Sequence, residues 1–85
     1  MKDKNQTMDQ QVLEIRSRIG NSIREHRERK GYSQEQLAIL MNISRSTISK
    51  IENGNFNISI DYISKFSKHL GFSEEKITLN FFLNP

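Results

Sequence analysis

Arg45, Ser46, Ser49, Lys50 and Asn53 are spaced so that a helix would carry all five on one side. At about 100° per residue they fall within an arc of roughly 140°. Thr47, Ile48, Ile51 and Glu52 fall on the opposite arc. One face is therefore polar, with two cations and no acid; the other is apolar, with one acid at its edge. A helix that only needed solvation would usually mix acids with bases, whereas one lying on a polyanion should keep acids off its outer face. The residue types also suit the edges of base pairs. Arg and Lys donate to guanine O6 and N7, Asn pairs bidentately with adenine, and Ser donates to or accepts from either kind of base edge.

The elements that must hold this face are read from capping and breaking residues. Ser44 is a plausible N-cap for the helix, which runs to Gly54. Ser33-Gln34-Glu35-Gln36 resembles a capping box and opens a shorter helix ending at Met41, with Leu37, Ala38, Leu40 and Met41 on its inner side. Asn42 follows, and Asn tolerates the left-handed backbone that ends helices. Two short helices separated by a tight turn suit helix-turn-helix geometry, in which the second helix is free to enter a major groove. Upstream, Met8, Val12, Ile15, Ile19 and Ile23 recur at helical steps towards Gly31, and Thr7 with Gln10 resembles a capping box at the start of this first helix. Gly20 interrupts it, at a cost of about 1 kcal/mol against Ala in a helix interior. Downstream, Ser59 caps a fourth helix with apolar positions Ile60, Ile63, Phe66 and Leu70, which ends at Gly71.

The last segment changes period. Ile77, Leu79, Phe81 and Leu83 alternate with polar or aromatic neighbours, which is a strand signal. A short fifth helix opening at Ser73-Glu74-Glu75 is the alternative for part of it. A lone strand cannot satisfy its own backbone and needs a partner. Val12 and Ile15 likewise extend the apolar stripe of helix 1 beyond a four-helix core. Val12, Ile15, Ile77, Leu79, Phe81 and Leu83 either cover one another within one subunit or form an interface between two copies of the chain, and the second reading is favoured since symmetric dimers are the commonest oligomers.

Bulk properties narrow the classes. The chain has 85 residues, enough for one small domain, with 34% hydrophobic and 27% charged residues. It has no Cys, so neither a disulfide nor a thiolate metal site can form. His26 and His69 are far apart and lack an acidic ligand cluster, so no metal or cofactor is expected. No Gly-x-Ser-x-Gly elbow or Gly-rich phosphate loop appears, which leaves an enzyme reading without support. No apolar run approaches the length of a membrane span; a cytoplasmic protein is expected. The net charge of +3 permits nucleic acid as a partner without demanding it.

From Ile19 to about Gly71 the chain resembles the Cro/phage-repressor, or XRE-type, helix-turn-helix family. Arg27, Gly31, Ser33-Gln34, Leu37-Ala38, Ile43-Ser44, Ile48, Ile51-Glu52 and Gly54 carry the likeness in register. Asn42 replaces the turn Gly common in that family, a substitution the left-handed region accepts. The resemblance implies an all-α fold, a compact bundle of four to five helices. To it this chain adds an N-terminally extended helix 1 and a candidate C-terminal dimerisation strand. The expected organisation is a flexible N-terminus over 1–7, a DNA-binding domain over 8–75 with its motif at about 33–54, and an apolar tail over 76–85.

By position, the resemblance implies that Arg45, Ser46, Ser49 and Lys50 face bases. It implies that Ser33, Gln34, Ser44, Thr47, Asn53 and Asn55 face phosphates, and that Arg27 forms a structural ion pair with Glu52. The implied partner is double-stranded DNA, bound by a homodimeric repressor at a palindromic operator. Narrower roles within the family are a restriction–modification controller and an antitoxin with a protein partner such as a toxin. A rival class is a protein-interaction module that uses the C-terminal tail.

Overall fold

The computed structural model describes residues 2–72, and side chains from residue 9 onward. Four helices follow one another: α1 over Lys2–Arg29, α2 over Gln34–Met41, α3 over Arg45–Glu52 and α4 over Ile60–Leu70. The strand expected over 77–83 and the fifth helix expected from Ser73 lie outside the described residues.

Local signals set most of the boundaries. Ser33 closes a full capping box: its Oγ accepts from Gln36 N at 3.0 Å, and Gln36 Oε1 accepts from Ser33 N at 2.8 Å. Ser44 Oγ accepts from Thr47 N at 3.0 Å, and Ser59 Oγ from Tyr62 N at 3.2 Å. Each side chain satisfies an amide that the first helical turn leaves unpaired. Asn42 ends α2 in the left-handed region, with φ 55°. Its N–H and that of Ile43 return to the carbonyls of Ile39 and Ala38, so the turn between α2 and α3 leaves few backbone groups unpaired.

Helix α1 departs from expectation at its start. It begins at Lys2, so Thr7 lies inside the helix and does not cap it. Residues 2–7 contain neither Gly nor Pro, and nothing in their sequence stops helical hydrogen bonding from propagating upstream. Residues 2–7, expected to be flexible, therefore lie within the first turns of α1.

The core lies where the four helices converge. Ile19 and Ile23 of α1 meet Leu37, Ala38 and Met41 of α2, Ile48 and Ile51 of α3, and Ile63, Phe66 and Leu70 of α4. Two expected core positions turn outward instead. Leu40 is about half exposed and Ile60 is 69% exposed. In α2, Leu37, Ala38 and Met41 already fill the face towards α3 and α4, and Leu40 falls beyond its edge. Ile60 occupies the first position of α4, at the rim of the bundle, where one helical turn has not yet carried the chain inward.

Candidate nucleic-acid interface

Helix α3 divides as its sequence periodicity implies. Ile48, Ile51 and Glu52 are buried; Arg45, Ser46 and Lys50 are exposed, and Ser49 is half-buried. Arg45, Ser46, Ser49 and Lys50 line one surface concavity. Asn53 caps the helix C-terminus and is exposed, with its Nδ2 at 3.5 Å from Ser49 Oγ. No acidic side chain stands among these residues. This face can donate several hydrogen bonds and carries two positive charges.

The implied phosphate residues separate into four kinds. Ser33 and Ser44 sit at the N-termini of α2 and α3 with their oxygens already accepting from the backbone. A hydroxyl that accepts a cap bond still has its own hydrogen to give. Thr47 is half-buried, and its Oγ1 lies 2.8 Å from Ser44 Oγ, so these two hydroxyls share one hydrogen bond. Asn53 and Asn55 flank Gly54 and are exposed. Gln34 differs from the rest: its Nε2 donates inward to Glu52 Oε1 at 3.0 Å. Sequence reasoning gave it only an outward role.

Behind the exposed face, Glu52 gathers side chains from α1 and α2. Arg27 presents a fork to it: Nε to Oε2 at 2.6 Å and Nη2 to Oε1 at 3.0 Å. The remaining Arg27 nitrogen, Nη1, donates to Tyr32 O at 2.7 Å. Both partners are nearly sealed, Arg27 at 8% and Glu52 at 2% exposure. The hydrogen bond to Glu52 holds the Arg27 pKa above its ordinary value; burial acts against it, and the neighbouring charges of Glu52 and Glu28 add to it. Among the described residues no buried side-chain nitrogen or oxygen lacks a hydrogen-bond partner. Such a pair ties α1, the α1–α2 turn and α3 into one geometry, because breaking it strands a charge in the core.

Two glycines permit the close packing of α1 on the end of α3. At Gly54 the backbone has φ +75°, and an added Cβ would stand 2.8 Å from Ser17 Oγ and 3.1 Å from its Cα. At Gly20 an added Cβ would collide with the Ile51 carbonyl. Sequence reasoning registered Gly20 as an interruption that could mark where the packed part of helix 1 begins, and not as a contact with α3. Its spacing offered a usable signal, since Gly20, Arg24 and Arg27 recur at helical steps along one side of α1.

Val12 and Ile15 lie on a different surface. With Arg16, Ile19, Asn57, Ile58, Ile60 and Ile63 they line an apolar groove of about 190 Å³ between α1 and the start of α4. Ile77, Leu79, Phe81 and Leu83 lie outside the described residues. His26 packs edge-on against Phe72 at 4.8 Å and its Nδ1 lies 2.7 Å from Ser22 O. Among the described residues no cluster of His, Asp or Glu could hold a metal ion, and no helix is long and apolar enough to cross a membrane.

A second helix that turns a polar, acid-free face outward over a buried anchor is a helix-turn-helix arrangement. The model of the HTH_3 helix-turn-helix family matches residues 23–77. The chain belongs to this family. Its members are DNA-binding regulators and not enzymes. Control protein C.BamHI of Bacillus amyloliquefaciens is 43% identical over 58 residues, which is 67% of this chain and 72% of that protein. The HTH-type transcriptional regulator SlrR of Bacillus subtilis is 47% identical over 53 residues, 61% of this chain but only 35% of SlrR, so the likeness spans about a third of that relative. The restriction-modification controller protein C.AhdI from Aeromonas hydrophila shares the fold with a TM-score of 0.70 and 32% identity, over 76% of this chain and 94% of its own.

Proposed function

We propose that this regulator reads a specific double-stranded DNA site by laying α3 in the major groove. Arg45, Ser46, Ser49 and Lys50 read base edges. Ser33, Ser44, Thr47, Asn53 and Asn55 position the protein on phosphates, and Gln34 does so through the amide hydrogen that Glu52 leaves free. The acid-free outer face of α3 carries this reading: it has donors for bases and no charge that phosphates would repel. Binding weakens steeply with salt, because each phosphate contact releases a condensed counterion. Selection from a random duplex pool tests the reading, since a sequence-specific protein enriches one motif.

The working unit is a homodimer on a palindromic operator, with half-sites about 34 Å apart. Supporting this is the apolar groove between Val12, Ile15 and Ile60, which leaves Ile60 69% exposed. A second copy covering that groove removes apolar surface from water. Regulation is of transcription, as a repressor or as a controller of a restriction–modification system. The comparisons favour the controller: the likeness covers 72% of C.BamHI and 94% of C.AhdI, against 35% of SlrR. Neighbouring genes for an endonuclease and a methyltransferase would decide between the two.

A further inference from the structure

We propose that Arg24 is a positioning residue for the recognition helix, setting the pitch of α3 by holding its last carbonyl from a different helix. The final turn of α3 closes almost entirely on its own backbone. Asn53 N donates to Ser49 O at 3.0 Å, Asn55 N to Lys50 O at 2.8 Å and Gly54 N to Ile51 O at 3.1 Å. That leaves Glu52 O, the kind of acceptor a helix C-terminus cannot satisfy internally. Arg24 Nη2 donates to it at 3.2 Å, and Arg24 Nε stands 3.8 Å from Glu52 Oε1. One guanidinium therefore spans the backbone and the side chain of the same residue, at the negative end of the helix dipole.

Arg24 lies one turn beyond Gly20 on α1, where an added Cβ would collide with the carbonyls of Ile51 and Glu52. Gly20 sets how near α3 can come; Arg24 sets how its end is angled. The opposite end of α3 is fixed separately, by the Ser44 cap and the turn from α2. Loss of Arg24 thus loosens one end only: Arg27 and Gln34 still hold the Glu52 carboxylate, while its carbonyl loses its side-chain donor. The helix has 8 residues, so a swing about the Ser44 end displaces Ser49 and Lys50 more than Arg45. Hydrogen bonds to base edges weaken steeply with misalignment, so discrimination falls first where Ser49 and Lys50 read. Because the Arg24 side chain is 41% exposed, water can replace it at the carbonyl and the fold survives its loss.

This inference rests on α3 reading bases, and its test separates the two claims. Lys50→Ala first identifies the base pair read near the C-terminal end; an Arg45→Ala/Lys50→Ala variant with unaltered base preference overturns the α3 reading itself. Arg24→Met and Arg24→Lys are then compared with the wild type for thermal unfolding, salt dependence of binding and base preference. The expected Arg24→Met protein unfolds near the wild-type temperature and keeps its salt slope. It loses about tenfold discrimination at the Ser49 and Lys50 base pairs, on the scale of one base contact, and keeps that at the Arg45 pair. Arg24→Lys, which retains a donor for the carbonyl, recovers most of the discrimination. A salt slope reduced by about one, with affinity lost evenly over all sequences, overturns the proposal in favour of a direct phosphate contact. Unchanged preference overturns it as well. Should Arg24→Met fail to fold, Arg24→Gln, too short to span the Glu52 carbonyl and carboxylate, takes its place: a loss confined to the Ser49 and Lys50 pairs supports the proposal, and an evenly spread loss, or no loss, defeats it.

Discussion

Gly20 of α1 lies against the backbone of Glu52 in α3 so closely that a Cβ at position 20 would come within 2.7 Å of the Glu52 carbonyl oxygen. The obstacle is main chain, which cannot rotate aside as a side chain can. Gly20→Ala therefore destabilises the protein even though Ala is the better helix former by about 1 kcal/mol. Overpacking of this sort costs about 1–3 kcal/mol. Chemical denaturation should show a lower midpoint, and DNA affinity should fall with it because the end of α3 must move. A variant more stable than the wild type would mean that the helices can separate freely here.

Removing Glu52 tests the anchor behind the interface. Glu52→Ala leaves Arg27 charged and buried without its carboxylate, for which the expected loss is about 3–5 kcal/mol. Thermal unfolding in the absence of DNA measures this directly. An unaltered midpoint would show that Arg27 finds water or another acceptor at no cost.

Lys50→Ala should change preference at one operator position and cost about 1–3 kcal/mol there. Competition between duplexes that differ at single positions reports the effect. A loss spread evenly over every sequence would assign Lys50 to phosphate instead.

Ile60→Asp addresses the apolar groove. Ile60 is 69% exposed and opens α4, where an acid is favoured by the helix dipole, so the isolated chain should fold normally. Sedimentation should show the dimer shifted towards monomer at equal concentration. An undisturbed dimer would place the contact between copies elsewhere.

Much of this arrangement was legible in the sequence because it is local. The caps at Ser33, Ser44 and Ser59 and the left-handed Asn42 follow from side-chain chemistry within a few residues, and the structure has them where the sequence puts them. The two faces of α3 follow from helical periodicity alone. Other features depend on which element packs against which. Leu40 and Ile60 fit an apolar period but stand at the edge of their stripes, and only the neighbouring helices determine that they stay exposed. Thr7 has the composition of a cap, yet nothing in the upstream residues opposes continuing the helix. Gly20, Arg24 and the inward bond of Gln34 all concern contacts between α3 and residues distant in sequence; helical spacing puts Gly20, Arg24 and Arg27 on one side of α1 without saying which element packs there.

The central claim is that the outer face of α3 reads a specific DNA sequence. Selection from a random duplex pool, run in parallel on the wild type and on an Arg45→Ala/Lys50→Ala variant shown to unfold at the same temperature, tests it most directly. The wild type should enrich one motif with two-fold symmetry and half-sites about 34 Å apart, and the variant should enrich none or a relaxed one. Enrichment of the same motif by both proteins, or of no motif by a wild type that still binds duplex DNA, would contradict the account.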